Sequence, residues 1–342
     1  MASVTSCSSR LLLGLLLLLA LMLGLSLSFG SYRLSLADIG RFIGQYLGGE
    51  PLPEARRQLI YQLLVEIRLP RALGAVLVGA ALATSGAAFQ GIFRNPLVSP
   101  NLLGVLSGSA FGAALTMLLG QHWLVVQLAA FAGGLLAVAM AVLIATVFGR
   151  GSLIILILGG ILSGALFAAL LSLLKYLADP FNQLPSLMVW LMGSLASISL
   201  ADLTWMAPIM LLAIAALCLS GRRLDALAMG DDQAASLGIA VNASRYLVIL
   251  WATLLGALTV SLAGIVGWVG LIVPHLLRLL AGPNHSRLLP GAALLGASFL
   301  LAADLLARSL GSNEIPIGLI TELLGIPVFI VVLGRATRAW GE

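Results

Sequence analysis

The sequence predicts an all-α polytopic membrane protein with about ten transmembrane helices in a single membrane domain over residues 1–342. Three observations predict it. Hydrophobic residues make up 61% of the chain and charged ones only 9%, where soluble domains are roughly 45–50% apolar and about 25% charged. The apolar runs are long and unbroken, as helices spanning ~30 Å of hydrocarbon require, and lack the alternation of a membrane barrel. The polar residues collect in short connections, which leaves too little polar surface for a soluble domain. Mean hydropathy is +1.11.

In chain order, the first run is LLLGLLLLLALMLGLSLSFG at 11–30, preceded by Arg10. It is longer than a signal-peptide core of ~7–15 residues and no small-residue cleavage site follows, so it reads as a retained span. Further spans are expected near 69–91, 101–120, 124–148, 152–175, 201–220, 244–264, 267–281, 289–309 and 315–335. The polar stretch 32–68 is expected to be an outer loop, and the Pro-marked stretch 176–200 is read as holding a short extra helix. Small-xxx-small spacing, as in Gly104-Gly108-Gly112 and Gly160-Gly164, predicts close helix packing. A faint internal repeat relates GAALATSGAAFQGIFRNPLVSPNLLG (79–104) to GLIVPHLLRLLAGPNHSRLLPGAALLG (270–296); each runs from an apolar segment through a basic Asn/Pro turn into another span.

The net charge of +5 comes almost wholly from arginine, Lys175 being the only lysine. The arginines stand singly at the ends of apolar runs, which excludes a nucleic-acid-binding stripe. Ten spans place both termini on one side. Arg94, Arg150, Arg222, Arg223, Arg287, Arg335 and Arg338 fall on that side, which the positive-inside rule makes cytoplasmic. The opposite side keeps its own basic set: Arg33, Arg41, Arg56, Arg57, Arg68, Arg71, Lys175 and Arg308. Cys7 and Cys218 are too few for a disulfide framework or a zinc site and read as apolar filler.

Residues 224–240, LDALAMGDDQAASLGIA, form an acidic island between spans. They predict two short helices broken at Gly230. Asp231 is expected to cap the second, Asp232 to complement its dipole and Gly238 to end it. Leu224, Leu227 and Leu237 are candidate anchors for a partner, and Ala234 and Ala235 leave room for close docking. The other reading is a capped interfacial loop with no partner. The chain has no GxxxxGK[ST] phosphate loop, so transport driven by ATP would need a separate ATPase.

Four sequence blocks resemble the permease family of ATP-binding-cassette (ABC) importers for iron–siderophore complexes, haem and vitamin B12. They are EIRLPRALGAVLVGAALATSGAAFQGIFRNPLVSPNLLGV (66–105), RRLDALAMGDDQAASLGI (222–239), GIVGWVGLIVPHLLRLLAGPNHSRLLPGAALLGAS (264–298) and ADLLARSLGSNEIPIGLITELLGIPVFIVVL (303–333). The resemblance implies a permease in the bacterial inner membrane that pairs with a second permease copy, two ATPase subunits and a periplasmic or lipid-anchored substrate-binding protein. ATP and magnesium are held by the ATPase partner, and this chain is no enzyme. It further implies that Leu224, Asp225, Leu227, Gly230, Asp231, Asp232, Gln233, Ala234, Ala235, Leu237 and Gly238 form a coupling helix pair on the ATPase. Arg68, Arg71 and Arg308 are implied to dock acidic residues of the binding protein. The alternatives are snorkelling arginines and, for Arg308, an internal pair with Asp304 or Glu314. The implied gate falls at Gly151-Ser152-Leu153.

Four residues keep open readings. Asn95 and Pro96 line the translocation path or make a tight turn. His275 is read as structurally hydrogen-bonded ahead of any metal role. Glu322, a carboxylate inside a span, is a proton site, a path-lining group or the partner of an arginine such as Arg308. An ion-coupled secondary transporter using Glu322 or Asp304 is the alternative function. A membrane enzyme or scaffold ranks below it, because the sequence shows no catalytic constellation.

Overall fold

The computed structural model describes residues 2–30, 32, 34–48, 52–149, 152–310 and 314–340. The described chain is helical, with α1 Ala2–Ser28, α2 Leu36–Tyr46, α3 Glu54–Tyr61, α4 Leu69–Phe93, α5 Val105–Leu118, α6 Trp123–Gly149, α7 Leu153–Leu177, α8 Gln183–Leu191, α9 Leu200–Leu219, α10 Gly221–Met229, α11 Asp231–Ser236, α12 Val241–Ala263, α13 Val269–Ala281, α14 His285–Ser309 and α15 Ile317–Trp340. A π-helical stretch, Gln62–Arg68, joins α3 to α4, and a 3-10 turn, Pro100–Leu103, precedes α5.

Among the described residues, seven helical runs are long and apolar enough to cross a membrane: Arg10–Ser28, Glu54–Phe93, Trp123–Gly149, Leu153–Leu177, Leu200–Leu219, Val241–Ala263 and His285–Ser309. Val105–Leu118, Val269–Ala281 and Ile317–Ile330 are apolar but shorter. They coincide with the expected third, eighth and tenth spans. The first two are short because non-α backbone replaces their first turns, a feature that returns below. The stretch expected as an outer loop, 32–68, is largely helical. Ser35 caps α2, its Oγ accepting from the Asp38 N–H at 3.0 Å. The α3, π-helical and α4 segments then run as one 40-residue helix, Glu54–Phe93. Polar composition misled here: Glu54, Arg56 and Arg57 lie on an exposed helical extension of a span. The extra helix anticipated within 176–200 is α8.

Helix α4 lies at the centre, with nearly every residue from Pro70 to Phe93 buried. Small residues permit this. Gly79 and Gly296 face each other across α4 and α14, and a methyl group on either would meet the other's carbonyl. Gly108 of α5 and Gly133 of α6 pair in the same way, and a methyl group on Gly86 would meet the carbonyl of Gly270 on α13. Close backbone approach is how membrane helices gain contact where no hydrophobic force drives them together. The two repeat-like segments, 79–104 and 270–296, therefore pack against each other. Hydrogen bonds between helices add to this: Ser163 Oγ to the Ala137 carbonyl at 2.7 Å, Ser261 Oγ to the Gln127 carbonyl at 2.7 Å, and Gln127 Nε2 to Asp202 Oδ1 at 2.9 Å.

Candidate functional site

Three groups of residues stand out: a charge cluster at each end of the bundle and a cavity between them.

At one end lie α10 and α11, broken at Gly230 as the sequence predicts. Gly230 has φ +130°, open to glycine, and Gly238 ends the pair at φ +78°. The capping expectation is corrected: Gly230 occupies the N-cap of α11, and Asp231 in the first turn turns sideways. Both its oxygens accept from Arg245 Nη2 at 2.9 Å, and Arg94 Nη2 lies 3.4 Å away. Arg245 is nearly buried on α12, while Arg94 is the left-handed C-cap of α4. Asp225 on α10 reaches α14: its Oδ1 accepts from the His285 N–H at 2.6 Å and lies 2.8 Å from His285 Nδ1. A carboxylate there meets an unpaired helix-start N–H and the positive end of the dipole. The pair is thus tied to α4, α12 and α14 at once.

The expected anchors divide. Leu224 and Leu227 are buried in the chain's own core, as is Ala234, so they hold the pair to the bundle and offer nothing outward. Leu237 is exposed, as are Asp232, Gln233 and Ala235. Met229, which the sequence reading passed over, is 66% exposed. Behind α10 opens a cavity of about 640 Å³ lined by Gln90, Arg94, Asn95, Pro96, Asp225 and Arg278, among others. Asn95 makes a tight turn, its Oδ1 accepting from the Leu97 N–H at 2.9 Å, and both Asn95 and Pro96 are exposed at the cavity rim. Of the expected gate, Gly151 lies outside the described residues, Ser152 is the N-cap of α7 and Leu153 its first residue.

At the opposite end the three expected arginines come together, all turned inward. Arg71 Nε donates to Asp304 Oδ1 at 2.8 Å, and its Nη1 lies 2.8 Å from both oxygens of Glu314. Arg308 Nε is 3.0 Å from Asp304 Oδ2, and its guanidinium also reaches the Ser26 and Phe29 carbonyls. Arg68 donates to the carbonyls of Leu27, Ser28 and Tyr32. Asp304 is fully buried and Glu314 about half exposed. A buried carboxylate between two guanidinia is compensated as isolated charges are not. The internal pair considered for Arg308 with Asp304 is present, and Glu314 belongs to Arg71.

Between the clusters is a cavity of about 310 Å³ lined by Leu82, Ser99, Pro100, Asn101, Leu106, Ile265, Val266, Gly267, Trp268, Gly270, Leu271 and Glu322. Leu82 lies midway along α4. Two walls are non-α backbone: the turn ahead of α5 and residues 264–268 ahead of α13. Irregular backbone at membrane depth is tolerated where it lines a cavity or is buried in protein. His275 does not make the expected hydrogen bond; its Nδ1 is buried without a partner among the described residues. No group of three or more potential metal ligands occurs among them.

A polytopic bundle with broken segments around a mid-depth cavity and a structured acidic surface at one end defines a membrane transport subunit. The model of the FecCD transport family matches residues 16–335, and the chain belongs to that family. It is 40% identical over 329 residues to the molybdate import system permease protein of Haemophilus influenzae, covering 96% of each chain. To the vitamin B12 import system permease protein of Serratia proteamaculans it is 39% identical over 324 residues, covering 93% of this chain and 92% of that one. A solved structure described as an inward-facing conformation of a metal-chelate type ABC transporter superposes with a TM-score of 0.85 at 39% identity, covering 96% of this chain and 99% of that one. The chain is therefore the multi-pass permease subunit of an ABC importer of the bacterial inner membrane, belonging to a non-catalytic transport family. The secondary-transporter alternative falls with that assignment.

Proposed function

We propose that this permease carries a metal chelate inward, with α10 and α11 receiving the stroke of a separate ATPase. The observation that carries the reading is the triple attachment of the acidic island to the ends of α4, α12 and α14 through Arg94, Arg245 and His285. A surface element bound only to its neighbours in sequence could move alone. One bound to three long helices moves them. The exposed face available to the ATPase is Met229, Asp232, Gln233, Ala235 and Leu237.

The full assembly in this reading is two permease copies, two ATPases carrying ATP and magnesium, and a substrate-binding protein. Each permease spans ten times, counting the three shorter apolar helices, with both termini cytoplasmic and α10–α11 on the cytoplasmic face. Ser152 and Leu153, at the start of α7, belong to the inner gate. Relatives named for vitamin B12 and for metal chelates support the cargo class. The arginine cluster then marks the outer, docking face. Because Arg71 is held by half-exposed Glu314, an incoming carboxylate competes with Glu314 for the same guanidinium, and the pairing sets orientation and on-rate.

The test is Asp232→Arg. Asp232 is exposed and has no hydrogen-bond or ion-pair partner among the described residues, so the change leaves the internal ties intact. The tagged variant should reach the membrane at normal levels and fail to co-purify its ATPase. Normal recovery of the ATPase would contradict the coupling role.

A further inference from the structure

The cavity at mid-depth contains a feature that the transport assignment does not explain. Glu322 is its only charged lining residue. Among the described residues it has neither a hydrogen-bond nor an ion-pair partner. It differs in this from Asp202, Asp225, Asp231, Asp304 and Glu314, all of which are engaged. Its side chain is directed at the broken segment: a methyl group added to Gly267 would lie 3.9 Å from Glu322 Oε1.

The same broken segment is held in an unfavourable form. Trp268 has φ +67°, a left-handed conformation rare for a bulky residue and strained where it occurs. Its ring is fixed edge-on to Phe329 at 6.1 Å, and Gly325, one turn beyond Glu322 on α15, gives the ring room. So α15 positions both a carboxylate and an indole against the cavity. The remaining polar groups nearby, Ser99 and Asn101, are neutral.

We infer that Glu322 is a cargo-contacting selectivity residue at the middle of the path, giving it a preference for cargo with a cationic or hydrogen-bond-donating surface over anionic cargo. The inference rests on the importer reading above. An unpaired carboxylate in a cavity also lined by Trp268 attracts an ammonium-bearing or amide-bearing chelate. It repels an oxyanion such as the one named for the Haemophilus influenzae relative, since like charges at short range oppose each other. A 310 Å³ space in one chain is at the low end of ligand cavities, ~300–1,000 Å³. A chelate larger than this needs room from a second copy.

The experiment measures the charge preference of the cavity directly. The full-length chain carries Cys7→Ser and Cys218→Ser, with Ser99→Cys as reporter and Asn101→Cys as a second. The assembled complex is treated with two methanethiosulfonates of similar size, one bearing trimethylammonium and one sulfonate. The ratio of cation to anion labelling rates, divided by the same ratio for a free thiol in solution, removes the effects of thiol reactivity and of the reagents' own charge. It should exceed one with Glu322 present, fall about tenfold on Glu322→Gln, and be retained on Glu322→Asp. A ratio unchanged by Glu322→Gln overturns the inference, as does failure to label either reporter. Recovery of the ATPase is scored on the same samples. Its loss counts against the importer coupling, while the labelling ratio judges Glu322 independently.

Discussion

At the scale of single residues, the charges divide into those that hold the chain together and those left for other molecules. Asp304 is buried between Arg71 and Arg308. Asp304→Ala leaves the buried Arg308 without a carboxylate and Arg71 with Glu314 alone, and should lower stability by about 3 kcal/mol, read as a large fall in the thermal midpoint of the detergent-solubilised protein. Glu314 presents a different case: in the docking role proposed for Arg71, it would compete with an incoming carboxylate. Glu314→Gln should tighten association with the binding protein and Arg71→Glu should weaken it, the difference shrinking as salt is raised. Equal affinities in titrations of the two variants would return these arginines to a purely internal role.

At the scale of elements, the acidic island is fixed to the bundle at three points, which suits the lever role proposed for it. Asp225→Ala removes the acceptor at the start of α14 and should cost about 1 kcal/mol of stability. Its main effect belongs to coupling. ATP hydrolysis by the complex should persist while uptake into proteoliposomes falls severalfold, and parallel loss of both would mean that Asp225 only supports assembly. The helix contacts through glycine are equally specific. Gly86→Val drives side-chain atoms into the Gly270 backbone, where overpacking costs about 1–3 kcal/mol or more.

The elements also show which parts of the molecule were legible in the sequence. The long spans follow from unbroken apolarity, and the pair broken at Gly230 follows from a glycine beside two aspartates. The three-arginine cluster could be located by motif, and the Arg308–Asp304 pair was open to reading as neighbours one turn apart, but the pairing of Arg71 was not, since Arg71 and Asp304 are brought together only by the packing of α4 on α14. Leu224 and Leu227 looked like surface anchors because the island is polar, yet tertiary packing turns that helix face inward. Residues 54–68 read as loop because charge density hides a helix that continues a span beyond the apolar zone. The cavity was legible only as the isolated Glu322; its walls depend on two broken segments far apart in sequence.

At the scale of the whole molecule, one central helix, α4, links the two ends. Its start carries Arg71 and its C-cap, Arg94, meets Asp231. With α14, which carries His285 at one end and Arg308 at the other, it provides two continuous rods between the acidic island and the arginine cluster. The cavity with Glu322 lies between those ends. In the coupling role proposed for the island, a stroke there would reach the cavity walls through packed backbone.

The most direct measurement is native mass spectrometry of the tagged chain, extracted gently from the membranes of its own host. The account predicts two copies of the 35.5 kDa chain together with two copies of an ATPase bearing a phosphate-binding loop, and loss of that ATPase alone in the Asp232→Arg variant. A 35.5 kDa subunit or a homo-oligomer with no ATPase, or an Asp232→Arg complex indistinguishable from the unaltered one, would contradict it.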